Sequence, residues 1–320
     1  MPKPGLLPLL AATLLASPAS QQPPRAVLPL TIIEMGSPET RLNDWIADEA
    51  AEAARLDLLA SYGVNQIYWS VLNTDGNPDI TLDASIAPRA RKYAEAIAAR
   101  GMRSHILASE RETWTRLRDT TFRQQHFRWI AQITDGLDAI VCLGEEMPPG
   151  AHVGAWAVEL RAALDAAGST ATPISIHNWP GEQPWMWDGA VVAAIDLIAY
   201  QVSSASEFGR IATLPLPAYN CEWGGSNWAR GIPGDDETMH GLTGLEWARL
   251  YWQVGAAAMR NSGRRHLGCG LYSGYVQDGC TDIACPMPQK HEKALRLWAT
   301  LTQDINADGV IDAADLIGEH

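Results

Sequence analysis

The chain has 320 residues and a formal charge of −13. That length allows one large core, of the size at which α/β barrels count as a single domain. The acidity argues against nucleic acid, and against a strongly acidic polymer, as the main partner.

In chain order, Lys3, the apolar run Leu6 to Ala16 and the small residues Ser17 and Ala19 have the pattern of a secretory signal peptide over residues 1–19. The run is shorter than the roughly 20 apolar residues of a membrane span, and no other run is long enough to span a bilayer. A secreted or periplasmic protein is expected, with no membrane partner. Residues 20–27, with Pro23 and Pro24, read as an exposed linker.

From Leu28 a strand-helix pattern repeats. Leu28 to Met35 is an apolar run, and Asp44 to Ser61 carries apolar residues at helical spacing before Gly63. Gln66 to Val71 predicts a second strand, then a loop with Asp75, Gly76 and Pro78, then a helix over Ala87 to Arg100 closed by Gly101. The third unit is Arg103 to Ala108 with a helix near Thr121 to Ile133. The fourth is the strand Ala139 to Leu143 with a helix over Val153 to Ala166, stopped by Gly168. Pro173 to His177 and a short helix over Asp188 to Ile195 make the fifth. Leu197 to Gln201 and a helix over Ser204 to Ile211 make the sixth. The seventh strand is Leu216 to Cys221; a Gly-rich loop follows, then a helix from about Gly244 with a capping box of Thr243 and Glu246. The eighth is Leu267 to Tyr272, with a helix over Gln289 to Thr302.

Eight such units predict a (β/α)8 TIM barrel over residues 28–303, since alternating βα units imply parallel strands. No Gly-rich phosphate turn follows the first strand, which weighs against an open doubly wound sheet.

Of the five cysteines, Cys280 and Cys285 share a short loop, where export favours a disulfide. Cys142, Cys221 and Cys269 lie in predicted strands and read as small buried apolar residues. In residues 304–320, Asp304, Asn306, Asp308, Gly309, Asp312 and Asp315 fall at positions 1, 3, 5, 6, 9 and 12 of a calcium loop, with the Val310 carbonyl at position 7. A short EF-hand-like segment holding Ca2+ is expected there. It resembles one half of a dockerin module, which implies a scaffold protein as partner, although Asp315 stands where the calcium-loop consensus has Glu.

The chemistry is concentrated at strand ends. The fourth strand runs into Glu145 and Glu146, and the seventh into Glu222 and Trp223. In parallel α/β folds the C-terminal strand ends are where ligands bind, and two carboxylates across a sugar are what glycoside hydrolysis needs. Thirteen tryptophans against three phenylalanines suit such a surface, because flat indole rings stack on sugar faces while their N–H groups bond hydroxyls.

LGEEMP, PISIHNWPGEQ and CEWG resemble the clan A glycoside hydrolases, in a cellulase-like branch of secreted glycosidases. The resemblance covers the barrel and implies a retaining enzyme that needs no catalytic cofactor and acts on a neutral, β-linked polysaccharide or oligosaccharide. It implies Glu146 as acid/base and Glu222 as nucleophile. Glu145 stands where the clan usually has an Asn that binds the sugar. A carboxylate there raises the pKa of one of the pair by like-charge repulsion, so either it helps keep Glu146 protonated or Glu145 is itself the acid. The clan's Arg near the second strand is not evident in Tyr68-Trp69-Ser70-Val71.

The resemblance further implies that Tyr200 orients Glu222 and that Tyr272 supplies an aromatic platform. His177 and Asn178 end the fifth strand, with hydroxyls or Glu146 as partners. Trp223 lies in a predicted C-terminal loop and is a candidate subsite wall, as are Trp179, Trp185, Trp187 and Trp228. Two other readings stay open: a barrel that binds carbohydrate without cleaving it, and a metal-dependent barrel hydrolase or isomerase. The last lacks the paired histidines in Thr31-Ile32-Ile33-Glu34 that such metal sites often use.

Overall fold

A computed structural model describes residues 30–34, 41–61, 64–73, 80–110, 113–147, 152–178, 189–202, 216, 218–223 and 269–272. Backbone alone is described for 30–34, 41, 73, 80, 178, 200–202, 218–223 and 269–272. The expected signal peptide, linker, sixth to eighth helices, Cys280–Cys285 pair and calcium loop lie outside the described residues.

The fold is mixed α/β around a parallel sheet. Its strands are β1 (Leu30–Glu34), β2 (Gln66–Ser70), β5 (Arg103–Leu107), β6 (Ala139–Glu145), β7 (Ile174–Asn178), β8 (Leu197–Val202), β9 (Ala218–Trp223) and β10 (Cys269–Tyr272). All eight fall where apolar runs bounded by turn residues predict them. Every pairing among them is parallel, in the order β1-β10-β9-β8-β7-β6-β5-β2, and β1 pairs with β2 as well as with β10. Two further strands, β3 (Leu72–Asn73) and β4 (Ile80–Thr81), form a small antiparallel hairpin within the region read from sequence as a plain loop.

Helix α1 (Arg41–Ala47) and helix α2 (Glu49–Ser61) replace the single helix expected from Asp44 to Ser61. The break is at Asp48. Its carboxylate accepts from the N–H groups of Ala50 (3.1 Å) and Ala51 (3.0 Å), which caps α2 and satisfies donors that have no partner inside the helix. Helix α3 (Ala87–Ala98) buries Ala90, Tyr93, Ala94 and Ile97, spaced three and four apart, and Gly101 (φ +71°) supplies the left-handed turn after it. Helix α4 (Thr120–Thr134) is capped by Asp119, whose carboxylate accepts from Phe122 N–H at 3.0 Å. Helices α5 (His152–Ala166) and α6 (Gly189–Ala194) complete the described α-helices, and a 3-10 turn over Trp114–Arg118 precedes α4.

The strands bury both faces, and strict alternation divides the core in two. Ile67, Trp69, Ile106, Val141, Leu143, Ile174, Ile176 and Ile198 pack under the helices. Tyr68, Leu107, Ile140, Cys142, Leu197 and Ala199 form a separate cluster on the face turned away from them. This is the two-sided burial that a helix-covered parallel sheet requires. One buried charge braces the helical layer. Glu52, with no exposed surface, takes two bonds from Arg55 (2.6 and 2.8 Å) and one from the Tyr93 hydroxyl (2.9 Å), tying α2 to α3. Removing either partner would leave a buried carboxylate undersatisfied.

Candidate active site

The C-terminal end of β6 departs from plain strand geometry just where its carboxylates begin. Within a parallel strand, residues two apart bond to the same neighbour. Val141 donates to the Pro173 carbonyl on the β7 side (2.9 Å), but Glu145, four residues on, donates to the Ser109 carbonyl on the β5 side (3.0 Å). Glu146 then donates to the His177 carbonyl (2.9 Å). The register with β7 slips over the same stretch, from Cys142 opposite Ser175 to Glu145 opposite His177. One extra residue has therefore been inserted, a β-bulge of the kind that re-aims a side chain.

Two local features hold the bulge. Gly144 passes so close to its neighbours that an added Cβ would lie 2.4 Å from Met147 Sδ and 2.8 Å from Ser109 Oγ. Glu146 sits at φ +45°, the one non-glycine with positive φ among the described residues. For a residue with a Cβ that conformation costs of order 1–3 kcal/mol, and such strain clusters at functional sites. Both glutamates are half-buried, while Met147, which follows them, is buried.

Below the bulge lies a buried polar layer on the face away from the helices. The Tyr68 hydroxyl is 3.3 Å from His177 Nδ1, and His105 Nε2 is 2.6 Å from Ser175 Oγ. The Tyr68 and His105 rings stack at 4.3 Å between centroids. Burial alone pushes His177 down to about 3, so its imidazole is neutral at ordinary pH. Burial pushes the Cys142 thiol up to about 11, which leaves it a neutral packing group, free of any disulfide. To the side, His126 Nε2–H donates to the Ala108 carbonyl at the end of β5 (2.7 Å), and burial lowers that histidine to about 4.

The sequence-derived candidates meet the structure unevenly. Glu145, Glu146 and His177 come together at one end of β6 and β7. Asn178 pairs with Tyr200 in the β7–β8 register. Glu222 and Trp223 fall at the end of β9, opposite Gln201 and Val202 of β8, and Tyr272 ends β10 opposite Ile33. The side chains of Asn178, Tyr200, Glu222, Trp223 and Tyr272 lie outside the described residues. So do Trp179, Trp185, Trp187, Trp228 and the calcium-loop residues Asp304, Asn306, Asp308, Val310, Asp312 and Asp315. Among the described residues, no group of three or more His, Cys, Asp or Glu is placed to hold a metal ion.

Sequence reasoning missed the polar layer of Tyr68, His105 and Ser175, while Cys142 is buried beside it as expected. Its signal was present as polar or small residues at alternate positions of buried strands, where a fully apolar pattern would be the default.

No family model matches the chain, and no curated sequence matches it. Its fold does match solved structures. A β-1,4-mannanase from the sea hare Aplysia kurodai superposes with a TM-score of 0.56 at 10% identity, covering 84% of this chain and 92% of that one. The catalytic domain of an endoglucanase from Thermobifida fusca gives 0.53 at 15% identity, covering 86% and 90%. An exo-β-1,4-mannosidase from Opitutaceae bacterium strain TAV5 gives 0.52 at 14% identity, covering 85% and 58%. At these identities the likeness speaks for the α/β fold; the chemistry has to come from the site.

Proposed function

We propose that the chain is a secreted glycoside hydrolase that cleaves a neutral, β-linked polysaccharide or oligosaccharide with retention of configuration. The observation that carries this is the placement of two glutamate-bearing strand ends in one parallel sheet. β6 ends in Glu145-Glu146 and β9 in Glu222-Trp223, three strands apart in the order β6-β7-β8-β9. The reading takes the sheet as a closed (β/α)8 barrel, supported by the pairing of β1 with both β2 and β10 and by the fold likeness. In such a barrel these ends share one mouth.

Glu222 attacks the anomeric carbon and forms a glycosyl-enzyme while Glu146 gives its proton to the leaving oxygen. Glu146, now a carboxylate, takes a proton from water, which releases the sugar and regenerates Glu222. This mechanism needs the two carboxyls about 5 to 5.5 Å apart. The strained backbone of Glu146 and its N–H bond to the His177 carbonyl suit a group that must hold one position. No step calls for a cofactor. His177, Asn178, Tyr200, Trp223 and Tyr272 would line the sugar site.

Residues 304–320 are proposed to bind one Ca2+ and to offer a contact for a scaffold protein. Export through residues 1–19 and a Cys280–Cys285 disulfide complete the reading. Reducing-sugar release from a panel of glucans, mannans, xylans and galactans tests it. Release from at least one polymer is expected. Binding without release on every polymer would instead support a carbohydrate-binding barrel, which the Glu145 departure from the clan pattern would then explain.

A further inference from the structure

We infer that His126 is a positioning residue of the proposed site: from α4 it meets the Ala108 carbonyl where the β5–β6 ladder breaks, and so holds the slipped pairing that carries Glu145 and Glu146. The inference rests on the proposed function for its effect on turnover, but the pairing itself can be measured without turnover.

A regular parallel ladder shows what His126 replaces. When a residue donates to one residue of the neighbouring strand, its own carbonyl accepts from the residue two further on. Ala108 N–H donates to the Cys142 carbonyl (2.8 Å), so the ladder would bring Gly144 N–H to the Ala108 carbonyl. Instead the donor on that side is Glu145, one residue late, and it goes to the carbonyl of Ser109, one residue on (3.0 Å). The Ala108 carbonyl takes His126 Nε2–H at 2.7 Å. A side chain from the helical layer thus stands where a backbone donor would be, at the point where β6 gains its extra residue.

His126 lies in the buried stripe of α4 with Arg123, Phe127 and Ile130, where an apolar side chain is the default. It is 1% exposed, and its Nδ1 is buried with no hydrogen bond among the described residues. An apolar residue would avoid that cost, so the bond to Ala108 is what the polarity achieves here. Because a carbonyl can only accept, Nε2 carries the proton and Nδ1 is bare. Burial, with the Arg116 charge adding to it, keeps the imidazole neutral down to about pH 4. The ring is braced as well. Phe122, one turn back, stacks on it at 5.4 Å between centroids, and the Arg116 guanidinium lies 4.7 Å over Phe122 while donating to Thr81 Oγ1 of β4 (2.9 Å).

From the Ala108 peptide the effect reaches the glutamates in two steps. Ser109, next in the chain, receives Glu145 N–H on its carbonyl and gives its hydroxyl to the Leu143 carbonyl (3.3 Å). Glu146 N–H then reaches the His177 carbonyl (2.9 Å), with Glu146 at φ +45°. Without the His126 donor, the Ala108 carbonyl is left to Gly144 N–H, and the regular register competes with the bulged one.

The test compares three variants of the whole protein. His126→Leu removes the donor, His126→Gln places an amide nitrogen about where Nε2 stands, and Ile130→Ala opens a cavity elsewhere in the same buried stripe. Amide hydrogen exchange is read at Val141, Glu145 and Glu146. In His126→Leu we expect protection at Glu145 and Glu146 to fall roughly tenfold relative to Val141, whose N–H bonds the Pro173 carbonyl. His126→Gln should restore the ratio, and Ile130→Ala should leave it unchanged. On a substrate that the wild type hydrolyses, kcat of His126→Leu should fall on the order of 10- to 100-fold with KM little changed. It should recover in His126→Gln and show no such fall, per folded molecule, in Ile130→Ala. Unchanged relative protection or an unmoved kcat in His126→Leu would overturn the inference, as would an equal relative loss in Ile130→Ala. If His126→Leu does not fold, the wild type decides: nitrogen-15 spectra of the imidazole at pH 7 must show Nε2 protonated and Nδ1 bare, and the reverse tautomer would overturn the inference. The expected exchange pattern in a chain that hydrolyses no glycoside would uphold the hold on the bulge and sink only the glycosidase reading.

Discussion

Gly144→Ala probes the joint between fold and site. The new methyl carbon would lie 2.4 Å from Met147 Sδ, 2.6 Å from Met147 Cγ and 2.8 Å from Ser109 Oγ, all well inside contact distance. Met147 is 1% exposed, so its thioether cannot swing into solvent. Ser109 cannot retreat cheaply either, because its hydroxyl bonds the Leu143 carbonyl and its own carbonyl holds Glu145 N–H. Overpacking of this kind costs about 1–3 kcal/mol. At about 2–4 °C per kcal/mol for a domain of this class, the melting temperature should drop by several degrees. Relaxation must pass through Glu145 and Glu146, so kcat should fall more than the loss of folded protein explains. Thermal unfolding and turnover on the best polymer of the panel read both effects. Met147→Ala supplies a check, since removing the obstructing side chain should make the double variant less destabilised than the sum of the singles. A Gly144→Ala protein with unchanged melting temperature and unchanged kcat would refute the reasoning about the bulge.

Other outcomes follow from the same structure. His126 and His177 have folded-state values near 4 and 3, below the ordinary 6.5, so the unfolded chain binds more protons between those limits. Their contribution to stability is intact above about pH 6.5 and is lost as pH falls toward 4 and then 3. For His126 this is on the order of 3 kcal/mol, and urea unfolding at pH 7 and pH 4.5 should show a steeper loss in wild type than in His126→Gln. Tyr68→Phe leaves the packing but takes the hydroxyl from His177 Nδ1, with an expected cost of about 0.5–1.5 kcal/mol for the lost buried hydrogen bond; an unchanged urea midpoint would count against the polar layer. Calcium stoichiometry should fall by one ion in a protein carrying Asp304→Ala and Asp308→Ala together, and equal stoichiometry would remove the tail from the account.

The strands were legible because each is an apolar run of strand length between breakers, as Ala139 to Leu143 is between Asp138 and Gly144. Helices such as α3 were legible from spacing and from Gly101. The break at Asp48 was not, because an Asp inside a helical pattern reads as one more exposed polar residue until its carboxylate is seen capping Ala50 and Ala51. The β3–β4 hairpin was missed because two-residue strands leave no periodicity to detect. At the site, the carboxylates were visible at their strand ends, but their facing was not. Period-two alternation puts Glu145 on the helix side, and only the hydrogen bonds to Ser109 and His177 reveal the bulge that reverses it. His105 and Tyr68 drew no reading from sequence, since the stacking and hydrogen bonds joining them to Ser175 and His177 cross strands far apart in the chain.

If Glu146 and Glu222 divide the work of a retaining hydrolysis, the anomeric configuration of an azide product reports which of them does what. With an aryl β-glycoside of the sugar the wild type releases, Glu146→Ala should still form the glycosyl-enzyme, because an aryl oxide leaves without a proton. Azide should then intercept it from the face of the missing base and give the β-glycosyl azide, restoring turnover. Glu222→Ala should give no β-azide. Rescue that appears in Glu145→Ala and not in Glu146→Ala, or an α-azide from the Glu146→Ala protein, would contradict the account.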